Sequence, residues 1–155
     1  MYQLLKLVHI LAVIIFLGNV ITGLFWKAHA DRTRNVPFIG HTMRGIIRSD
    51  RWFTIPGVVV ITVAGLFAAV RVGLPILGTG WIFWSLIAFG VSGLAFAFRV
   101  APLQKQLLAL ASTPADTPFD WDLYHSRSRQ WELWGFVATI TPLIAVAMMV
   151  LKLPA

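Results

Sequence analysis

Four stretches of the chain are apolar on nearly every face and long enough to cross a bilayer. They run from Leu4 to Trp26, Trp52 to Val70, Trp81 to Phe98 and Leu133 to Leu151. A spanning helix takes about 20 mostly apolar residues. A surface helix of a soluble protein would instead keep a broad polar stripe. The second and third stretches carry no charge, and Pro142 bends or loosens the fourth. The pattern predicts an all-α fold, a four-helix transmembrane bundle that forms one integral membrane domain over residues 1–155.

Two connecting segments carry their own periodicity. Ile39, Met43, Ile46 and Ile47 recur at helical spacing, with Arg44, Arg48 and Arg51 on another face. This predicts a short amphipathic helix before the second span, lying on the membrane surface; the alternative is a plain basic loop. In the second loop, Thr117-Pro118-Phe119-Asp120 reads as a capped helix start with proline at the first helical position. That helix would run through Tyr124 into the fourth span. Ser112-Thr113-Pro114-Ala115 is the expected flexible point. Small residues at Gly65 and Ala69, Ala88 and Ser92, and Gly93 and Ala97 suit close helix contacts in lipid.

Composition agrees with this class. The chain is 58% hydrophobic and 12% charged, where a soluble domain carries roughly a quarter charged residues. Its net charge is +7, but the basic residues border apolar segments, so the expected partner is a lipid bilayer and not nucleic acid. There is no cysteine, which excludes disulfides, thiolate metal sites and c-type haem attachment. Ala28-His29-Ala30 imitates a signal cleavage site. The apolar run before it exceeds a signal core of about 7–15 residues, so it reads as a retained helix.

Orientation follows from the basic residues. Lys27, Arg32, Arg34, Arg44, Arg48 and Arg51 follow the first span, and Arg99, Lys105, Arg127 and Arg129 follow the third. These are ten of the thirteen in the chain. Lys6, Arg71 and Lys152 lie on the other side. Both loops are expected in the cytoplasm and both termini outside it, in a multi-pass protein of a cell membrane, taken to be a bacterial inner membrane. All six acids fall on the cytoplasmic side. No carboxylate is expected deep in a span, and no nucleophile–base pair stands at helical spacing, so hydrolysis is not indicated. Arg127, Arg129 and Glu132 are expected to pair at the cytoplasmic surface.

Polar groups inside a membrane are functional candidates. On the first span, Lys6, His9, Ala12, Phe16, Asn19 and Gly23 share one face, which should point into the bundle. His9 is the only histidine in a span, about 8 Å from its outer end at 1.5 Å per residue. A neutral imidazole ligates transition metals well. Alternatively, it is bonded to a backbone carbonyl of a neighbouring helix. His29 lies about 30 Å further along, and His41 and His125 are in loops, so a bis-histidine haem using His9 is excluded. Met148 and Met149 stand at its depth, so a His–Met haem is allowed. Lys6, Arg71 and Lys152 form an outer rim without acids, suited to haem propionates or equally to lipid phosphates.

Lys6-Leu7-Val8-His9 resembles the K-x-x-H opening of the CopD/HemJ-like four-helix membrane proteins. Phe53-Thr54-Ile55-Pro56 and the ending Met149-Val150-Leu151-Lys152-Leu153-Pro154 fit the same pattern. The resemblance covers nearly the whole chain and is greatest to the branch known only as predicted integral membrane proteins. It implies different roles by branch. HemJ-like proteins are protoporphyrinogen oxidases that bind haem b through the first-helix histidine, which His9 matches, and rely on a third-helix lysine, which Trp81 to Phe98 lacks. CopD-like proteins are linked to copper, but the methionine- and histidine-rich outer segments are missing here. The expectation is a membrane protein that binds haem b through His9, with a redox or haem-related role. Its alternatives are a tetrapyrrole enzyme such as protoporphyrinogen oxidase, and a cofactor-free accessory subunit. A homo-oligomer or a larger membrane complex is the expected assembly.

Overall fold

The computed structural model describes residues 1–114 and 117–154. Four helices in it are long and apolar enough to cross a membrane: Tyr2–Thr33, Val36–Arg71, Gly80–Leu110 and Trp121–Leu151. The second and third change their winding part-way. We number the regular segments α1 (Tyr2–Thr33), α2 (Val36–Ser49), α3 (Ile55–Arg71), α4 (Gly80–Ala95), α5 (Ala101–Leu110) and α6 (Trp121–Leu151). A π-helical turn, Asp50–Thr54, joins α2 to α3, and another, Phe96–Val100, joins α4 to α5. No strand occurs among the described residues, as the all-α reading expects.

Each π turn stands just before a proline, Pro56 or Pro102. Proline brings no N–H and its ring clashes with the carbonyl four residues earlier. Widening the turn upstream relieves that clash without ending the helix. The Ile55 amide reaches back five residues to the Asp50 carbonyl, and the Ala101 amide to that of Phe96. Pro142 lies inside α6 with no such turn. It cannot bond the Ala138 carbonyl, which in lipid has no water to turn to. Ser92 of α4 donates to that carbonyl instead, at 2.6 Å, and Ser85 donates to the Ala145 carbonyl at 3.2 Å. Both serines are buried, and they latch α4 to α6.

The two extensive helix pairings are α1 with α3 and α4 with α6. On α1 the inward residues are Ala12, Phe16, Lys27 and Ala30. They continue the face read from the sequence for two further turns. Phe16 packs on Gly57, where a Cβ would stand 3.4 Å from its own. The His9 ring lies so close to Gly65 that a Cβ there would stand 2.9 Å away.

The end of the bundle that carries the basic segments has a core of its own. Ile39, Met43 and Ile46 of α2, Leu103 and Leu107 of α5, and Tyr124 of α6 are buried together. So α2 is the amphipathic helix expected before the second span, but its apolar face is covered by protein and it runs on into α3 as one helix. Its cover comes from α5 and the first turns of α6, which extend beyond the apolar stretches. The cap of α6 is Asp120, which accepts from the Leu123 amide at 2.9 Å. The expected cap, Thr117, instead closes a turn onto the Pro114 carbonyl. A carboxylate three residues nearer the helix is the better acceptor for its free amides. Ala115, part of the expected flexible point, lies outside the described residues.

Candidate functional site

Asn19 lies inside the first apolar stretch, seven residues and about 10 Å before Trp26. Its amide must find partners inside the bundle, because an unpaired polar group there is costly. Its Nδ2 donates to Asp50 Oδ1 at 3.0 Å and to Thr54 Oγ1 at 2.9 Å. Thr54 Oγ1 donates to the same carboxylate oxygen at 2.8 Å. Gln104 Nε2 donates to Asp50 Oδ2 at 2.7 Å. Asp50, Thr54 and Gln104 are all buried. The first π turn carries Asp50 and Thr54, and Gln104 follows the second. The two irregular turns therefore bring polar groups from three helices together.

Among the described residues, no basic group lies within 4 Å of Asp50; the ion pairs all involve Lys27. The carboxyl is held by neutral donors alone. A carboxylate offers about four acceptor positions. Three are used, and the open one is on Oδ2.

Beside this cluster is a cavity of about 230 Å³. Its walls are mostly apolar, with Phe16, Phe89 and Phe96 supplying rings. Phe16 and Phe89 meet edge to face with centroids 5.6 Å apart. Asn19, Asp50, Thr54 and Gln104 all line it, and Asp50 is its one charged lining residue. Ile55 and Val59 on its border are more than half exposed, so the cavity reaches the outer, lipid-facing surface.

Trp131 is also a lining residue. It is 3% exposed, and its indole Nε1 is buried with no hydrogen-bond partner. Lys27 Nζ stands 5.2 Å from the Trp131 ring centroid and 5.5 Å from that of Tyr124. Lys27, itself 1% exposed, bonds Asp31 and Ser128, with Glu132 at 3.9 Å. Tyr124 donates to Asp31 at 2.6 Å. This second cluster fastens α1 to α6 behind the cavity wall.

The residues singled out in the sequence are more scattered. His9 Nδ1 lies 2.8 Å from the Ile61 carbonyl of α3, the neighbouring-helix bond named above as its alternative role. His9 lines neither the cavity nor the shallower groove bordered by Leu11 and Trp52. Met148 and Met149 are half-buried on α6, which pairs with α4, whereas the partner of His9 is α3. Lys6 and Arg71 are exposed, and Lys152 Nζ stands 5.9 Å from the Trp81 ring. The described residues contain no group of three acidic, histidine or cysteine side chains able to hold a metal ion.

Three expectations change. A carboxylate does sit inside the bundle, because Asp50 is turned onto Asn19 by the π turn. Lys27 is not a free loop cation but a buried, paired one. The cationic neighbour of Glu132 is Lys27 rather than Arg127 or Arg129. The signal for Asp50 was Asn19 itself, a mid-span amide with no partner in sight. Nothing in the sequence marked Gln104.

Comparison with curated proteins and with solved structures finds no match. The family described as predicted integral membrane protein (DUF2269) matches residues 3–153. With nearly its whole length matched, the chain belongs to the DUF2269 family of predicted integral membrane proteins.

Proposed function

We propose that this membrane protein binds a small amphipathic molecule dissolved in the bilayer, in the cavity between the two π turns. One observation carries the reading: an apolar cavity of about 230 Å³ has a few polar side chains gathered at one place. Ligand sites are mostly apolar, with a small number of placed polar groups that fix orientation. A cavity of about 150 Å³ is enough for a benzene ring, so a ring-sized head group fits here. Gly93 lines the cavity, and a Cβ added to it meets nothing within 4 Å. Gly93→Leu should therefore occupy space without distorting α4. Native mass spectrometry of protein extracted from membranes should show a small-molecule adduct that Gly93→Leu removes at unchanged thermal stability. An adduct-free wild type, or an adduct indifferent to this substitution, overturns the reading.

A second reading keeps haem b at His9. Its support is the Ile61 bond: Nδ1–H donating to a carbonyl leaves Nε2 with a lone pair, as in ligating histidines. That donor chemistry fits an iron ligand. Lys6, Arg71 and Lys152 would serve the propionates, with Met148 or Met149 as the candidate second ligand. Bound haem would supply electron transfer, and the missing third-helix lysine favours binding without oxidase chemistry. His9→Ala should abolish a Soret band; a colourless wild type made with ample haem defeats this reading.

In either case the basic end faces the cytoplasm and both termini face away from it. The support is the charge asymmetry, which persists with Lys27 set aside. Reporter fusions after Lys152 should be active only outside the cytoplasm, and cytoplasmic activity refutes this topology.

A further inference from the structure

Acidic groups buried in a bundle are normally paired with a cation. Asp50 has none within 4 Å among the described residues. Its chain neighbour Arg51 is exposed, and so is Lys105 beside Gln104. Lys27, behind the cavity wall, is already shared between Asp31 and Glu132, so that cluster does not offset the charge of Asp50. The other polar groups here offer acceptors. Asn19 and Gln104 spend their N–H groups on Asp50 and Thr54, and no described residue donates to their amide oxygens. Trp131 Nε1 is the one fully enclosed side-chain polar atom left unpaired among the described residues, so neither amide oxygen is sealed off. Each lies about 2.2 Å from its own nitrogen, and hence within about 5 Å of a carboxylate oxygen.

From this we infer that the molecule held in the cavity is a lipophilic amine, bound as its ammonium, which pairs with Asp50 and donates N–H groups to it and to the amide oxygens beside it. The inference rests on the cavity being a binding site. An ammonium bonding at about 2.9 Å on two sides bridges the distance between these acceptors. An amine that arrives uncharged takes the proton of a protonated Asp50, and one that arrives charged meets the ionised carboxylate; both routes end in the same ion pair. Phe16, Phe89 and Phe96 line the same cavity, and ring faces attract cations. The border at Ile55 and Val59 gives an alkyl tail a route to the lipid. Other solutes match less well. An anionic head would meet Asp50 with no cation beside it. Ketones and quinones bring acceptors to a place that already has acceptors to spare. An alcohol brings one O–H and no charge. A bare metal ion would leave the apolar walls without a partner.

Three probes with the same tail test this: decylamine, decyltrimethylammonium and decanol. Their binding is measured by titration calorimetry on the protein in phosphatidylcholine nanodiscs, with the signal of empty nanodiscs subtracted. Wild type should bind the amine about tenfold or more tighter than the alcohol, the difference between a charge-assisted and a neutral hydrogen bond. The trimethylammonium probe keeps the charge without the N–H groups and should fall between them. Asp50→Asn keeps the size of the side chain and should remove most of the preference for the amine. Gly93→Leu should weaken all three probes. The wild-type series decides the matter by itself if Asp50→Asn does not fold.

Equal binding of amine and alcohol, both blocked by Gly93→Leu, would overturn the ammonium assignment and leave the cavity reading standing. An amine preference that survives Asp50→Asn would overturn the role given to Asp50. Trimethylammonium bound as tightly as the amine would overturn the part given to the amide oxygens. Binding of no probe, or binding that Gly93→Leu does not affect, would defeat the cavity reading and the inference together.

Discussion

Lys27→Met is expected to cost about 3 kcal/mol of folding free energy, at the lower end of what removing one partner from a buried ion pair costs. The lower end applies because the Asp31 side chain keeps 22% exposure and that of Glu132 keeps 55%. Methionine replaces the stem of the lysine, so packing against Tyr124 and Trp131 is largely kept. What disappears is the cation between two carboxylates. Ser128 Oγ stands 3.1 Å from both the Asp31 and Glu132 carboxylates and has one proton to give, so without Lys27 their repulsion is largely unopposed. The double variant Lys27→Met/Asp31→Asn removes one of the two charges yet keeps an oxygen for the Tyr124 hydroxyl. It should recover more than half of the loss. Reversible unfolding in mixed micelles measures both. A loss under about 1 kcal/mol, the range of an exposed pair, would mean that this cluster is solvated. A double variant no better than the single one would mean that packing, not charge, was lost.

The spans were legible because lipid imposes one demand on every face of a helix. A run of apolar residues answers it without reference to any partner. The inward face of α1 was legible for the complementary reason: His9, Asn19 and Gly23 are positions that lipid would not favour, and they recur at helical spacing. Periodicity also showed the apolar face of α2, but it cannot say what covers a face. Lipid and protein look alike to it, and the cover here is α5, which begins where Arg99 had seemed to end the third span. The π turns hid the most. They let Asp50 and Gln104, both read as loop residues, converge on Asn19 from two other helices. The only trace they leave in the sequence is Pro56 and Pro102. Lys27 shows the limit of counting charges, since a lysine marks a boundary only if water or headgroups reach it.

Asp50→Ala tests how far these neutral donors depend on one carboxylate. Removing it strands Asn19, Thr54 and Gln104, yet the three do not suffer equally. Thr54 can rotate its hydroxyl onto a carbonyl one turn back, as Thr22, Thr62, Thr139 and Thr141 do at 2.7–2.9 Å. Asn19 keeps its bond to Thr54. Gln104 loses the one bond its side chain makes in the cluster, and it is 3% exposed. A buried donor left unpaired costs about 1–3 kcal/mol. The expected total is therefore about 2–4 kcal/mol, most of it assignable to Gln104 and the remainder to a weakened Asn19. Adding Gln104→Leu to Asp50→Ala should return about 1–3 kcal/mol, because it removes the stranded amide and fills the space with apolar atoms. Gln104→Leu alone should be milder than Asp50→Ala, since Asp50 keeps Asn19 and Thr54. The same micelle unfolding assay reads all three variants. If Gln104→Leu deepens the Asp50→Ala defect, water already serves these groups. The cluster would then be a hydrated opening at the membrane boundary and not a dry wall of the cavity.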